Sequence, residues 1–171
     1  MSDAAFQPVH EGWAKHQAMV IDALRDLTPA QLAFRTAPHQ WAIWQLAAHV
    51  AGSRSYWFHD VLGEGDLATR DFFRVDRTTV PGLSVADAGW EDDEDRPRNA
   101  EELVDALRRT WAIIDDCLGR WTADDLAGTV VRPARTHHRG WVVWHVLEHD
   151  LHHGGEISQI LGSHGLPGLD P

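Results

Sequence analysis

The feature that most constrains this chain is the spacing of its apolar residues, which repeats with the period of a helix almost everywhere and with the alternation of a strand almost nowhere. From about Glu11 to Leu27, the residues Trp13, Met19, Val20, Ile21, Leu24 and Leu27 form one apolar stripe. Thr28-Pro29 then supplies a cap and a first-turn proline for a short helical connector ending at Leu32. A second, longer helix is predicted from about Trp41 to Leu62, with Ile43, Leu46, Val50, Trp57 and Val61 on one face and a stop near Gly63 and Gly65. Asn99 caps a third, with Glu102 three residues on, and Leu103, Leu107, Trp111, Ile114 and Leu118 repeat to about Trp121. Thr122 to Leu126 repeats the earlier connector, a short extended piece around Thr129–Arg132 leads into Pro133, and the last helix runs from about Gly140 to Ser163. Residues 63–98 lack periodicity; Pro81-Gly82 and the acidic run Glu91 to Asp95 read as a solvated loop. Four helices with one long crossover between the second and third predict an all-α four-helix bundle.

A length of 171 residues fits one such domain, residues 1–171, around a single core. Fifteen Lys and Arg against 26 Asp and Glu give a net charge of −11, which leaves no basic face to neutralise nucleic-acid phosphates or an anionic membrane surface. No run approaches the ~18 apolar residues of a membrane span, and the N-terminus lacks the basic and apolar regions of a leader. The one cysteine, Cys117, can form no disulfide within the chain, so a cytoplasmic location is expected and any metal must be held by N and O ligands. On helix 3, beside Leu118, Cys117 reads as packing.

Twelve histidines are the first pointer to chemistry. His149 and His153 stand one turn apart on helix 4, about 40° round from each other, so both imidazoles project from one face in a chelating geometry. An HxxxH pair is also compatible with a surface cluster. Here, however, Val142, Val146, Ile157 and Ile160 fall on the same face, which places both rings within the core stripe. Buried imidazoles need partners, and a shared cation supplies them. His49, at the edge of the apolar stripe of helix 2, is the third candidate ligand; His59 points elsewhere. Together His49, His149 and His153 make a three-nitrogen site with open positions, as expected of a catalytic metal. His145 and Glu156 flank it as candidate proton carriers or substrate contacts, or as a solvated flank. Asp150 is expected to be buried, either orienting an imidazole N–H or pairing with an arginine such as Arg54 or Arg108. His137-His138-Arg139 reads as the polar entry to helix 4. Trp41, Trp44, Trp141 and Trp144 stand at the starts of two helices, where core packing is the first reading and an aromatic wall over the metal the second.

The segment from Trp41 through Ile43, Leu46 and His49 resembles the helix 2 signature of DinB-like proteins, and His149 through His153 to Ile157 resembles their helix 4 motif. The resemblance spans essentially the whole chain, connectors and crossover included. Two departures stand out: Gly154 replaces the usual basic residue after the second histidine of helix 4, and Glu156 stands where glutamine is common. The resemblance implies one divalent ion, zinc or nickel, bound by His49, His149 and His153 in a cleft at one end of the bundle. It further implies a low-molecular-weight thiol bound to that ion and a thiol-dependent S-transferase or isomerase acting on a small electrophile, by likeness to mycothiol-dependent isomerases and bacillithiol S-transferases. A cation favours the thiolate, so Cys117 is not needed as nucleophile. The alternatives are a non-catalytic bundle in which the metal is structural, a stress-associated binding protein without turnover, and a metal-dependent hydrolase. A homodimer is expected from the resemblance and from nine tryptophans, more aromatic surface than a bundle of this size readily hides.

Overall fold

The computed structural model describes residues 6–66, 74–75, 91–131 and 136–169. Helix α1 (Gln7–Leu24) starts a turn earlier than its apolar stripe, because Pro8 is tolerated in the first turn, where its missing N–H has no intrahelical partner to lose. Helix α2 (Pro29–Leu32) is the expected connector: the Gln31 N–H donates to Thr28 Oγ1 at 3.3 Å, and the Thr28 N–H donates to Gln31 Oε1 at 2.9 Å. Helix α3 (Ile43–Ser55) opens with the Ala42 N–H donating to Gln45 Oε1 and continues without a break into a π-helical segment, Tyr56–Val61, that ends at Gly63 with φ +74°. The wider turn shifts the buried face, so Phe58 is fully enclosed and Trp57 only half-buried. Helix α4 (Ala100–Arg120) has the predicted Asn99 and Glu102 capping box, and α5 (Ala123–Ala127) repeats it with Thr122 and Asp125. Helix α6 spans Arg139–Ser163.

Of two small ladders, one corrects the expectation of a loop and the other contains the extended piece expected around Thr129–Arg132. Strand β1 (Arg74–Val75) pairs antiparallel with β2 (Glu91–Asp92), so the first two residues of the acidic run are paired backbone. Strand β3 (Thr129–Val131) pairs with β4 (Thr136–His138), so His137 and His138 belong to a strand and α6 starts at Arg139. Strands of two or three residues leave no alternation to read. Pro81-Gly82 and Pro133 lie outside the described residues.

Helix α3 packs against α4 and α6, and α1 against α4. The core divides into two apolar layers. One gathers Val20, Leu24, Ile43, Leu46, Leu103, Leu107, Ile157 and Ile160; the other gathers Trp13, Phe58, Ile114, Leu118, Val142 and Val146. Residue order through these layers shows that α1 and α6 run one way along the bundle and α3 and α4 the other. The end of α3 and the start of α4 therefore lie at opposite ends of the bundle, which requires a long connection. Between the layers each long helix contributes to one buried polar network. Arg54 on α3 pairs with Asp150 on α6 at 2.7 Å, each side chain 1% exposed. Trp13 Nε1 of α1 donates to the same Asp150 Oδ2, while Gln17 of α1 and Arg54 both donate to the carbonyl of Leu107 on α4. Among the described residues no helix is long and apolar enough to cross a membrane.

Candidate metal centre

The antiparallel contact of α3 and α6 brings His49 opposite His149 and His153, one turn from the Arg54–Asp150 layer. Each ring offers a nitrogen, and the three donor atoms all lie within 4.8 Å of one another. The Nε2 atoms of His49 and His149 are 2.8 Å apart, and the ring centroids are separated by 4.7 Å (His49 to His149), 4.9 Å (His49 to His153) and 4.4 Å (His149 to His153). The indole of Trp41, immediately before α3, lies 4.7 Å from His49 and 6.3 Å from His153 and covers one side of the cluster.

The electrostatics favour neutral rings. Burial, followed by the neighbouring His153, His49 and His145 and by Arg54, pushes the His149 pKa down to about 2. Burial also lowers that of His153, opposed by Glu156. An uncharged imidazole is the form that coordinates a cation. Glu156 Oε2 accepts the Nδ1–H of His153 at 2.6 Å, which fixes the tautomer and leaves Nε2 for the cluster. His149 Nδ1 is buried without a hydrogen-bond partner, so the nitrogen His149 can use toward another group is the one facing His49. Three convergent imidazole nitrogens, with the Glu156 carboxylate behind one of them, fit a divalent ion of zinc type, and no thiolate is needed. His152, His153 and Glu156 also lie close enough to hold an ion, but the His153 nitrogen nearest Glu156 already donates to it, and His152 is exposed.

The remaining candidates divide between the rim of this cluster and the core. His145 stands one turn before His149, its ring stacked on Trp141 at 4.9 Å and 12° and edge-on to Trp57 at 5.1 Å, with 6.4 Å between its centroid and that of His149. Burial lowers its pKa. The Asp150 carboxylate faces Arg54 and Trp13 and no imidazole; the ring of His16 reaches only its main-chain carbonyl, at 3.1 Å. Of the two readings of Asp150, pairing with Arg54 is the one observed, because the guanidinium is the only charge at that depth able to compensate the carboxylate among the described residues. Cys117 is buried, and its thiol is pushed up to about 12, chiefly by burial. Of the four tryptophans, Trp44 is core, Trp41 covers the histidines, and Trp141 and Trp144 are 37% and 57% exposed, so core packing does not account for Trp144.

Gly154, the first departure, is buried: a Cβ there would stand 2.5 Å from the ring of His16 on α1. The second, Glu156, forms one wall of a cleft of about 310 Å³ beside His153. That cleft is bounded from the α2–α3 loop by Thr36, His39 and Gln40 and from α6 by Gln159. Helical spacing from His153 could have pointed to Gln159 and Ile160; the loop residues arrive only through folding.

Residues 13–157 match the model of the DinB superfamily. Among solved structures, the chain is similar to a DinB-like protein from Bacillus cereus ATCC 10987, with 18% identity, a TM-score of 0.66 and coverage of 94% of this chain and 93% of that one. It is also similar to a conserved protein from Enterococcus faecalis, with 16% identity, a TM-score of 0.70 and coverage of 95% and 99%. At these identities the likeness bears on the fold. No curated protein matches.

Proposed function

The chain belongs to the DinB superfamily, and from that premise we propose that it is a divalent-metal-dependent enzyme, a thiol-using S-transferase or isomerase acting on a small electrophile. The observation that supports this reading is the convergence of His49, His149 and His153, with donor atoms within 4.8 Å, beside an open cleft. A zinc or nickel ion bound by these three nitrogens would favour the thiolate form of a small thiol at neutral pH. The protein's own residues hold and orient. Glu156 keeps His153 in the tautomer that presents Nε2. Arg54 anchors Asp150, and with it the turn of α6 that carries His149. Trp41 shields the cluster from water on one side. His145, neutral and next along α6, is the proposed acceptor of the proton released when the thiol binds.

A structural role for the ion is the second reading, favoured by the 2.8 Å approach of His49 to His149 across two helices. A hydrolase would use the same three ligands with water. Cobalt substitution separates these readings: addition of small thiols should give a sulfur-to-metal charge-transfer band, and its absence with every thiol would favour the structural role. Metal content should fall to background in His49→Ala, His149→Ala and His153→Ala and persist in His152→Ala. We further propose a homodimer in the cytoplasm, motivated by exposed Trp144 and Leu151 on α6 and by the lone buried thiol. Light scattering giving a mass near 19 kDa at micromolar concentration would contradict the dimer.

A further inference from the structure

The cleft beside His153 is the space into which a thiol held by the three histidines' metal would extend beyond its sulfur. Besides His153 its polar lining is Thr36, His39, Gln40, Glu156 and Gln159, with Trp41, Leu46 and Ile160 as the apolar part. No lysine or arginine lines it among the described residues. Arg35, in the same loop, directs its guanidinium to the main-chain carbonyls of Pro38 and Gln40 and is not part of the lining. The charged group on the wall is therefore the Glu156 carboxylate. One of its oxygens accepts from His153 at 2.6 Å, and its second oxygen is 3.7 Å from His152, too far for a hydrogen bond. A carboxylate accepts at about four lone-pair positions, so Glu156 can serve His153 and a ligand together. The amides of Gln40 and Gln159 offer donors and acceptors without charge. The face of Trp41 is an additional surface on which a cation is favoured.

Resting on the metal-thiol reading above, we propose that this cleft receives the tail of the thiol and selects by charge. It accepts ammonium-bearing or neutral hydroxyl- and amide-bearing tails and disfavours carboxylates. Glu156 is what gives the wall its sign. The rest of the chain adds to it, since a net charge of −11 repels an anionic ligand before it arrives.

The test compares three short thiols on the cobalt-loaded protein: thiocholine, 2-mercaptoethanol and 3-mercaptopropionate. Each is titrated at about pH 8, where ordinary imidazoles are neutral, and read by the charge-transfer band. Because these thiols differ in intrinsic affinity for cobalt, the measured quantity is the change in their ratio between proteins. Glu156→Gln keeps an acceptor for His153 and removes the charge. It should reduce the preference for thiocholine over 3-mercaptopropionate by about fivefold to tenfold, the size expected of one charge at close range in a partly solvated cleft. Gln159→Lys, on the exposed side of α6, should move the ratio the same way without touching a histidine. Unchanged ratios in both variants would overturn the proposal and leave thiolate binding intact. A missing band with all three thiols would instead remove the metal-thiol reading, and this one with it.

Discussion

Helices α3 and α6 meet at two polar clusters one residue apart on α6, and the two are built on opposite terms. At Asp150 the charges are formal, the depth is complete and Oδ2 takes its partners from within, Arg54 and Trp13, with Gln17 joined through the carbonyl of Leu107; Asp150 Oδ1 and Gln17 Oε1 are left without a hydrogen-bond partner. At His149 the groups are half-buried imidazoles that face one another, with the Nε2 atoms of His49 and His149 at 2.8 Å. A closed ion pair orients helices and can do little else, because opening it strands a charge. An arrangement of convergent lone pairs stands ready for something brought from outside. The neighbouring residues of one helical turn thus divide an internal ion pair from a set of convergent imidazoles.

The largest effect should come from breaking the closed cluster. Asp150→Ala leaves Arg54 buried and unpaired and should lower the unfolding free energy of the metal-free protein by about 3–5 kcal/mol in urea titrations. Arg54→Met combined with Asp150→Leu should recover most of that loss; equal losses in the single and double variants would show that the charge itself matters more than its pairing. Breaking the open cluster should look different. Zinc at about a hundredfold excess over its dissociation constant should stabilise the wild type by about 2.7 kcal/mol. His149→Ala should lose this gain entirely while folding normally without metal.

The pH dependence sharpens the contrast further. His149 has a folded pKa near 2 against an ordinary value of 6.5, so between these values the unfolded chain binds the extra proton and stability falls as the pH drops below 6.5. In metal-free protein, His149→Gln should flatten the acid limb of a stability-against-pH curve; an unchanged limb would mean that the ring is not buried in its neutral form. The smallest effect belongs to a residue in neither cluster. Cys117, with a thiol held near 12, should resist iodoacetamide at about pH 8 in the native protein and react fully once unfolded, as followed by mass spectrometry.

Much of the open cluster is legible in the sequence because its logic is local. The i, i+4 spacing of His149 and His153, set among Val146 and Ile157, defines one face of one helix, and His49 occupies the edge of an apolar stripe on another. The closed cluster is only half visible. Arg54 sits in an ordinary Ser-Arg-Ser stretch, and Gln17 lies between a lysine-bearing turn and Met19; what buries both is the meeting of four helices. The π turn after Ser55 is hidden for a related reason, since one extra residue per turn rotates a stripe without interrupting it. The β1–β2 ladder and the loop side of the cleft depend on segments distant in sequence, and neither leaves a periodic trace; of the β3–β4 ladder only the first strand is legible, as an extended piece.

The close approach of His16 to Gly154 has a further consequence, for how this sequence can change. Alanine in a helix is favoured over glycine by about 1 kcal/mol, yet at position 154 its methyl group would displace His16 from the carbonyl of Asp150 and forfeit a hydrogen bond of about the same worth. Taken alone, the exchange is close to neutral; once position 16 is reduced to alanine, the same exchange becomes favourable. The two sites are therefore coupled: what a methyl group at position 154 is worth depends on the residue at position 16.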